Sequence, residues 1–212
     1  MKVLELFCGT KSFTKVAEAR GHECRTLDND PRFEPTYCMD IMDFDPVILD
    51  GWHPDVIWAS PPCTCFSVAS IGTHWGGGRC AYLPQTADAE RAKLVVARAV
   101  ELIQAFQPDS YFIENPRGVL RKLDLIPFPR KTAWYCQYGD TRAKPTDIWT
   151  NLQNWQPKTC HNGSKDHEEA RRGAKTGTQG RKGAVERSIV PEKLCLELIQ
   201  LCERVTDERI IR

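Results

Sequence analysis

Apolar residues in this chain fall into short runs that alternate with stretches of helical spacing. Residues 2–7, KVLELF, form an apolar run ending at Gly9, and residues 12–21, SFTKVAEARG, then read as a helix stopped by Gly21. Residues 23–28, ECRTLD, predict a second strand, followed by an acidic, proline-containing segment. Residues 55–60, DVIWAS, predict a third strand bounded by Pro54 and Pro61. Residues 70–86 hold Gly72, Gly76, Gly77 and Gly78 with little periodicity and predict a mobile loop.

The clearest helix spans residues 86–106. Val95, Ala99, Leu102 and Phe106 step along one stripe, and Ala92, Val96 and Ile103 along a second, which gives an apolar face wide enough to pack on a sheet. Residues 110–115, SYFIEN, predict a strand ending at Pro116. TAWYCQY (132–138) and TDIWTNL (146–152) predict a strand pair joined by the turn-prone GDTRAKP. Apolar periodicity vanishes from 156 to 188 and returns at 191–205, a closing helix with Pro191 at its start and Leu194, Leu198, Leu201 and Val205 along one face. No internal repeat is visible. Strands alternating with helices imply an α/β fold with a mostly parallel sheet.

A length of 212 residues suits one large domain, or one domain with a small appendage. The apolar runs are too short and interrupted to span a bilayer. The N-terminus lacks the pattern of a signal peptide, so the ten cysteines are expected to be reduced thiols of a cytosolic protein. The net charge of +1 conceals segregation: Asp28, Asp30, Glu34, Asp40, Asp43, Asp45, Asp50 and Asp55 face only Arg32 in the acidic block. Arg171, Arg172, Lys175, Arg181, Lys182 and Arg187 face only Glu186 in the basic one. Solvated loops explain either block taken alone, but the basic segment also suits a polyanion.

Ligands of such folds gather at the carboxyl ends of the strands. Gly9, Asp28, Cys63 and Glu114 each fall at or just beyond the end of a predicted strand, which favours one active edge. FCGTKS at Gly9 lacks the further glycines of the dinucleotide fingerprint and of the P-loop. Asp28 stands where nucleotide-binding folds keep an acid for ribose hydroxyls, though turns also favour an acid there. Cys63 follows Pro61 and Pro62, whose fixed φ angles stiffen its turn; that suits an exposed nucleophile and equally a packed small residue. No CxxC pair completes a zinc site, so no metal ligand is assigned, although Cys160, His161 and His167 could join in a small one. Glu114, in FIENPRG, is expected to be partly buried, with a raised pKa that suits a proton donor. A thiolate plus a proton-donating carboxyl group is what conjugate addition to a pyrimidine ring requires.

LELFCGT, LDND, the Asp40–Ile41 pair, SPPCTCFS, FIENPRG and YGDTRAKPTDIWTN occur in the order seen in cytosine carbon-5 DNA methyltransferases. The chain resembles the short, phage-type members of that family over residues 1–151 and again at 187–199. The resemblance implies a Rossmann-like S-adenosylmethionine-dependent methyltransferase fold, a mostly parallel sheet ending in an antiparallel strand pair, and a reduced target-recognition region. It divides the chain into a catalytic, cofactor-binding core (1–151), a minimal basic recognition segment (152–186) and a C-terminal helix returning to the core (187–212).

By the same resemblance, Cys63 attacks carbon 6 of a flipped-out cytosine while Glu114 holds the ring nitrogen and exocyclic amine. Arg142 and Lys144 fall where the family keeps basic residues near the base and strand. Phe7, Gly9, Asp28, Asp40, Ile41 and Ser188 would contact the cofactor. Within the basic segment, Arg171, Arg172, Lys175, Arg181 and Lys182 could neutralise phosphates, and Thr178 and Gln179 could reach base edges. The implied partner is double-stranded DNA, met by a monomer in the cytoplasm of a bacterial or phage-infected cell. The chain departs from the family pattern at Lys11, where a second glycine is usual, at Asn29, at the RAKPT stretch and at Arg187. Two rival readings are an RNA (tRNA) cytosine-5 methyltransferase and a non-catalytic nucleic-acid-binding module with a decayed cofactor site.

Overall fold

The computed structural model describes residues 1–77, 81–161, 163–168 and 183–210. Its order is β1 (Lys2–Leu6), α1 (Ser12–Ala19), β2 (Glu23–Asp28), β3 (Tyr37–Cys38), β4 (Val56–Ala59), α2 (Ile71–His74), β5 (Trp75–Gly76), β6 (Leu83–Pro84), α3 (Ala87–Phe106), β7 (Ser110–Pro116), β8 (Arg130–Trp134), β9 (Pro145–Thr150), α4 (Ala184–Ser188) and α5 (Glu192–Ile210). Seven strands form one sheet in the order β3-β2-β1-β4-β7-β9-β8. The first five run parallel, β9 lies antiparallel to β7, and β8 antiparallel to β9. The chain leaves β1 toward β2 on one side and returns at β4 on the other, so the switch in winding direction falls between β1 and β4. Crevices open at such points.

The central strands read as nearly unbroken apolar runs because both faces of the sheet are covered. Leu4, Leu6, Ile57, Ala59 and Ile113 join one core with Val96, Ala99, Leu102 and Ile103 of α3. Val3, Val56, Trp58 and Phe112 join the other with Phe13 of α1 and Leu194, Leu198 and Ile199 of α5. Helix α3 starts at Thr86, whose hydroxyl accepts from the Ala89 amide at 3.2 Å, a cap that stabilises the helix by about 1 kcal/mol.

Helix α1 has no such cap. Lys11 at its N-cap position adopts a left-handed conformation (φ 55°) and offers no capping side chain. Glu5 of β1 supplies the missing acceptor: its carboxylate takes the amides of Phe13 at 3.4 Å and Thr14 at 2.8 Å. Lys11 thus holds, at a cost in backbone strain, the conformation that a glycine would adopt freely.

Several boundaries differ from the sequence reading. Residues 135–138 form a 3₁₀ turn, and strand β8 runs from Arg130 to Trp134. Pairing with the antiparallel β9 carries β7 past its last parallel partner, so Glu114 lies inside a strand, facing Ile148. The segment expected to be a loop at 70–86 contains α2 and the β5–β6 ribbon. Gly78 and the predicted DNA contacts Arg171, Arg172, Lys175, Thr178, Gln179, Arg181 and Lys182 lie outside the described residues. Among the described residues no helix is long and apolar enough to cross a membrane.

Candidate active site

Two clefts open at the carboxyl edge of the sheet and share Phe7, Pro62 and Thr64 as a common wall. The first encloses about 770 Å³ and is lined by Leu27, Met39, Ile41 and Val95 with Asp28 and Asp40. The second, of about 730 Å³, holds Cys63, Glu114 and Lys144, with Arg187 and Ser188 from the far end of the chain.

In the first cleft, the Asp28 carboxylate is fixed by two backbone amides, Gly9 to Oδ2 and Asp30 to Oδ1, both at 2.9 Å. Each oxygen keeps a further lone pair, so the group can accept from two neighbouring hydroxyls. Asp40 is more committed: it accepts from the Met42 amide at 2.9 Å and pairs with Arg91. Ile41 is buried beside it.

In the second cleft, Cys63 is exposed while Cys65, two residues on, is buried. The turn that carries Cys63 is held from below and behind. Asn115 donates to the Pro61 carbonyl at 2.9 Å, the Val119 amide donates to the Phe66 carbonyl at 2.7 Å, and the Trp75 indole donates to the Cys65 carbonyl at 2.6 Å. Gly118 is essential to this approach, because a Cβ there would sit 2.1 Å from the Phe66 carbonyl oxygen. The proline pair therefore contributes local stiffness to a turn that tertiary contacts already position.

Glu114 is buried and accepts from the Tyr135 hydroxyl at 2.9 Å. Burial pushes its pKa up, while the Lys144 ammonium and hydrogen bonds from Tyr135 and Ser60 oppose the rise. Ser60 is itself oriented by the Trp58 indole, which donates to its oxygen at 2.8 Å. Cys63 is exposed as a residue, yet desolvation by the protein around its sulfur, then the Glu114 charge, push the thiol up, against the pull of Lys144 and Arg187. Burial thus makes both groups hold their protons more tightly than usual, and Lys144 is the cation that makes each easier to ionise. Lys144 donates to the Arg187 carbonyl at 2.7 Å, and its ammonium lies 4.5 Å from the Tyr135 ring centre. It thereby ties the returning segment 187–190 to the site. That segment is also pinned by the Val190 amide, which donates to the Ser12 hydroxyl at 3.2 Å.

Arg142 is placed differently. It forms a 2.8 Å ion pair with Glu168 and is not among the residues lining either cleft. Ser188 does line the second cleft, its hydroxyl donating to the Val185 carbonyl at 2.8 Å. Tyr135, Ser60, Asn115 and Gly118 escaped the sequence reading. Gly118 left a signal, as a glycine directly after a strand-ending proline motif; Tyr135, inside an aromatic run, left none.

Glu5 was also missed, although it is the one acidic residue within the apolar run KVLELF. It lines the second cleft, and burial pushes its pKa up to about 7 against the pull of the α1 amides. Because the folded value exceeds the ordinary 4.5, this group's contribution to stability is complete below pH 4.5 and declines as pH rises toward 7. The decline amounts to about 3 kcal/mol at 1.36 kcal/mol per pH unit. Urea titrations at pH 5 and pH 7.5 should show about 2 kcal/mol more loss in the wild type than in Glu5→Gln; equal slopes in the two proteins would refute the assignment.

Comparison with known proteins agrees with this geometry. The profile of the family described as C-5 cytosine-specific DNA methylase matches residues 1–125. A Frog virus 3 (isolate Goorha) protein, named as a probable DNA (cytosine-5)-methyltransferase, is 30% identical over 95% of this chain and 100% of its own length. Among solved structures, a prophage-encoded E. coli protein named as a DNA modification methyltransferase superposes with a TM-score of 0.52 at 14% identity, covering 71% of this chain and 46% of that one. The Entamoeba histolytica methyltransferase EhMeth gives a TM-score of 0.51 at 10% identity, covering 74% of this chain and 55% of that one. The chain thus spans about half the length of these structural relatives, which share its fold. With the profile matching more than half of its residues and the viral relative aligned end to end, the chain belongs to the C-5 cytosine-specific DNA methylase family.

Proposed function

We propose that this protein methylates carbon 5 of cytosine in a short sequence of duplex DNA, through a transient bond between Cys63 and the base. The observation that carries the reading is the meeting of Cys63, Glu114 and Lys144 in one cleft that shares Phe7, Pro62 and Thr64 with the cleft built around Asp28. Glu114 and Lys144 are buried, beyond the reach of a base still in the helix, so the target cytosine would swing out of the stack, at a cost of a few kcal/mol.

The residues divide the work by charge. Cys63, ionised with help from Lys144, attacks carbon 6 of the ring and forms a carbon–sulfur bond. Glu114, whose hold on its proton burial strengthens, gives that proton to the ring nitrogen that gains electron density, and carbon 5 becomes nucleophilic. S-adenosylmethionine, when bound, supplies the electrophilic methyl group. Loss of the carbon-5 proton to a base then returns the electron pair and expels the Cys63 thiolate, while the ring nitrogen gives its proton back to Glu114, which restores aromaticity and the starting acid. Tyr135 and Ser60 point Glu114 at the base, and Lys144 steadies the charge that builds on the ring.

The first cleft fits the cofactor's chemistry. Asp28 would accept from the ribose hydroxyls, Phe7 and Ile41 would flank the adenine, and Gly9 and Ser188 would line the path toward Cys63. Because its own carboxylate is engaged by Arg91, Asp40 would act by holding the adjacent Ile41 backbone in place. DNA would be met by the basic segment through Arg171, Arg172, Lys175, Arg181 and Lys182, with Thr178 and Gln179 at base edges. Arg142, bound to Glu168 next to that segment, would serve the strand rather than the base.

Transfer of tritiated methyl groups to unmethylated duplex DNA, single strands and tRNA, with bisulfite sequencing of the products, tests the proposal. Carbon-5 marks at one short duplex motif are expected. Marks confined to tRNA would replace the substrate, and no transfer to any of the three would overturn the reading.

A further inference from the structure

Outside the clefts, one cluster of side chains has no part in the chemistry above. The thiols of Cys136 and Cys160 and a ring nitrogen of His167 lie within 4.8 Å of one another. Cys160 Sγ is 3.6 Å from His167 Nδ1. Two soft thiolates and an imidazole are the donors that select zinc over the hard cations. Zinc–sulfur bonds of about 2.3 Å and zinc–nitrogen bonds of about 2.05 Å, set tetrahedrally, put sulfur and nitrogen about 3.6 Å apart and the two sulfurs about 3.8 Å apart. The Cys160–His167 separation already meets these values, and the other two pairs need to close by no more than about 1.2 Å. A fourth position is open to water or to Asp166, whose Oδ2 is 3.9 Å from Cys160 Sγ.

We propose that Cys136, Cys160 and His167 bind a structural zinc ion. The pairing replaces the set visible in the sequence, where His161 stood beside Cys160: the turn at residues 135–138 brings in Cys136 instead, and His161 is outside the cluster. Neither cysteine is in a disulfide. A disulfide would also leave the approach of His167 unexplained.

The location gives the ion a purpose. Cys136 directly follows Tyr135, which orients Glu114, while Cys160 and His167 belong to the segment that leads into the basic stretch. Other contacts dock the same two pieces: the Glu168 amide donates to the Thr141 carbonyl at 2.9 Å, Gln137 donates to Asp166 at 3.0 Å, and Arg142 pairs with Glu168 at 2.8 Å. These bonds are exposed and individually weak. A metal crosslink would fasten the root of the basic segment to the turn behind the active site, with the binding energy acting as folding energy for a stretch whose sequence shows no apolar periodicity. The proposal stands on this cluster alone and is independent of the reaction assigned above.

Elemental analysis of the full-length protein, purified without chelator, provides the test. About one zinc per chain is expected, falling at least tenfold in Cys160→Ser and in His167→Ala and unchanged in His161→Ala. Cobalt loaded into the wild type should show thiolate-to-metal charge-transfer absorption and the strong visible bands of tetrahedral coordination, a readout that needs no variant to fold. A wild-type protein without zinc whose peptide map links Cys136 to Cys160 would overturn the proposal in favour of a disulfide. Zinc retained without Cys160 and lost without His161, or octahedral cobalt bands lacking charge transfer, would overturn the assigned ligands.

Discussion

Cys63→Ser is expected to reduce methyl transfer by at least about 10³-fold, because an alcohol in place of the thiol offers almost no anion to attack the ring. The cofactor cleft should be indifferent to the change. Cys63 lines only the second cleft, and its turn is held by Asn115, Gly118 and Trp75 through backbone atoms that serine preserves. Equilibrium binding of S-adenosylmethionine should therefore match the wild type. Transfer within tenfold of the wild-type rate would remove Cys63 from the mechanism, whatever its position.

Glu114→Gln should cost about 10²–10⁴-fold in transfer, the range expected when an acid positioned at the reacting atom is lost. Glutamine can still accept from Tyr135, so shape is retained while the proton is not. The same change should make Cys63 more reactive toward a small alkylating agent. The Glu114 charge is one of the causes that push the thiol up, so removing it moves the pH profile of alkylation to lower values. A slower enzyme with a more reactive thiol separates proton donation from thiol activation. If alkylation and transfer fell together, Glu114 would instead be acting on the cysteine or on the fold. Lys144→Met should shift alkylation the other way, since its ammonium eases ionisation of both groups.

The sequence exposed most of what the sheet alone decides. Unbroken apolar runs at 2–7 and 55–60 mark strands covered on both faces, and the double stripe of 86–106 marks the helix that covers one of them. Chemistry at strand ends was legible for the same reason: Gly9, Asp28 and Cys63 follow or close parallel strands whose carboxyl edge is the open one. Glu114 was found for a slightly wrong reason. It lies within β7, and the strand's parallel pairing stops at Ile113 beside it, so the active edge passes through the strand.

Other features depend on contacts with no local trace. Tyr135 reaches Glu114 only because β8 gives way to a tight turn, and nothing in TAWYCQY distinguishes that turn from more strand. Cys136 and Cys160 meet through the same turn across 24 positions of sequence, a distance at which spacing rules for metal ligands say nothing. Lys11 illustrates the reverse case. The departure from a glycine pattern was visible, but the structure shows that a lysine can occupy the left-handed position, with its ammonium donating to the Glu34 carbonyl at 2.7 Å.

The bond between Cys63 and carbon 6 is the centre of the proposed mechanism, and the proposal predicts that it can be trapped. In duplex DNA carrying 5-fluorocytosine at every cytosine, carbon 5 holds no proton to lose once it is methylated, and fluorine cannot depart as a cation. Elimination then fails and the enzyme should remain joined to the strand. Incubated with S-adenosylmethionine, the wild-type protein should form a denaturation-resistant complex whose peptide map places the DNA on Cys63, and Cys63→Ser should form none. Methylation of ordinary DNA by a wild-type protein that leaves no such complex, or a crosslink at another residue, would contradict the mechanism.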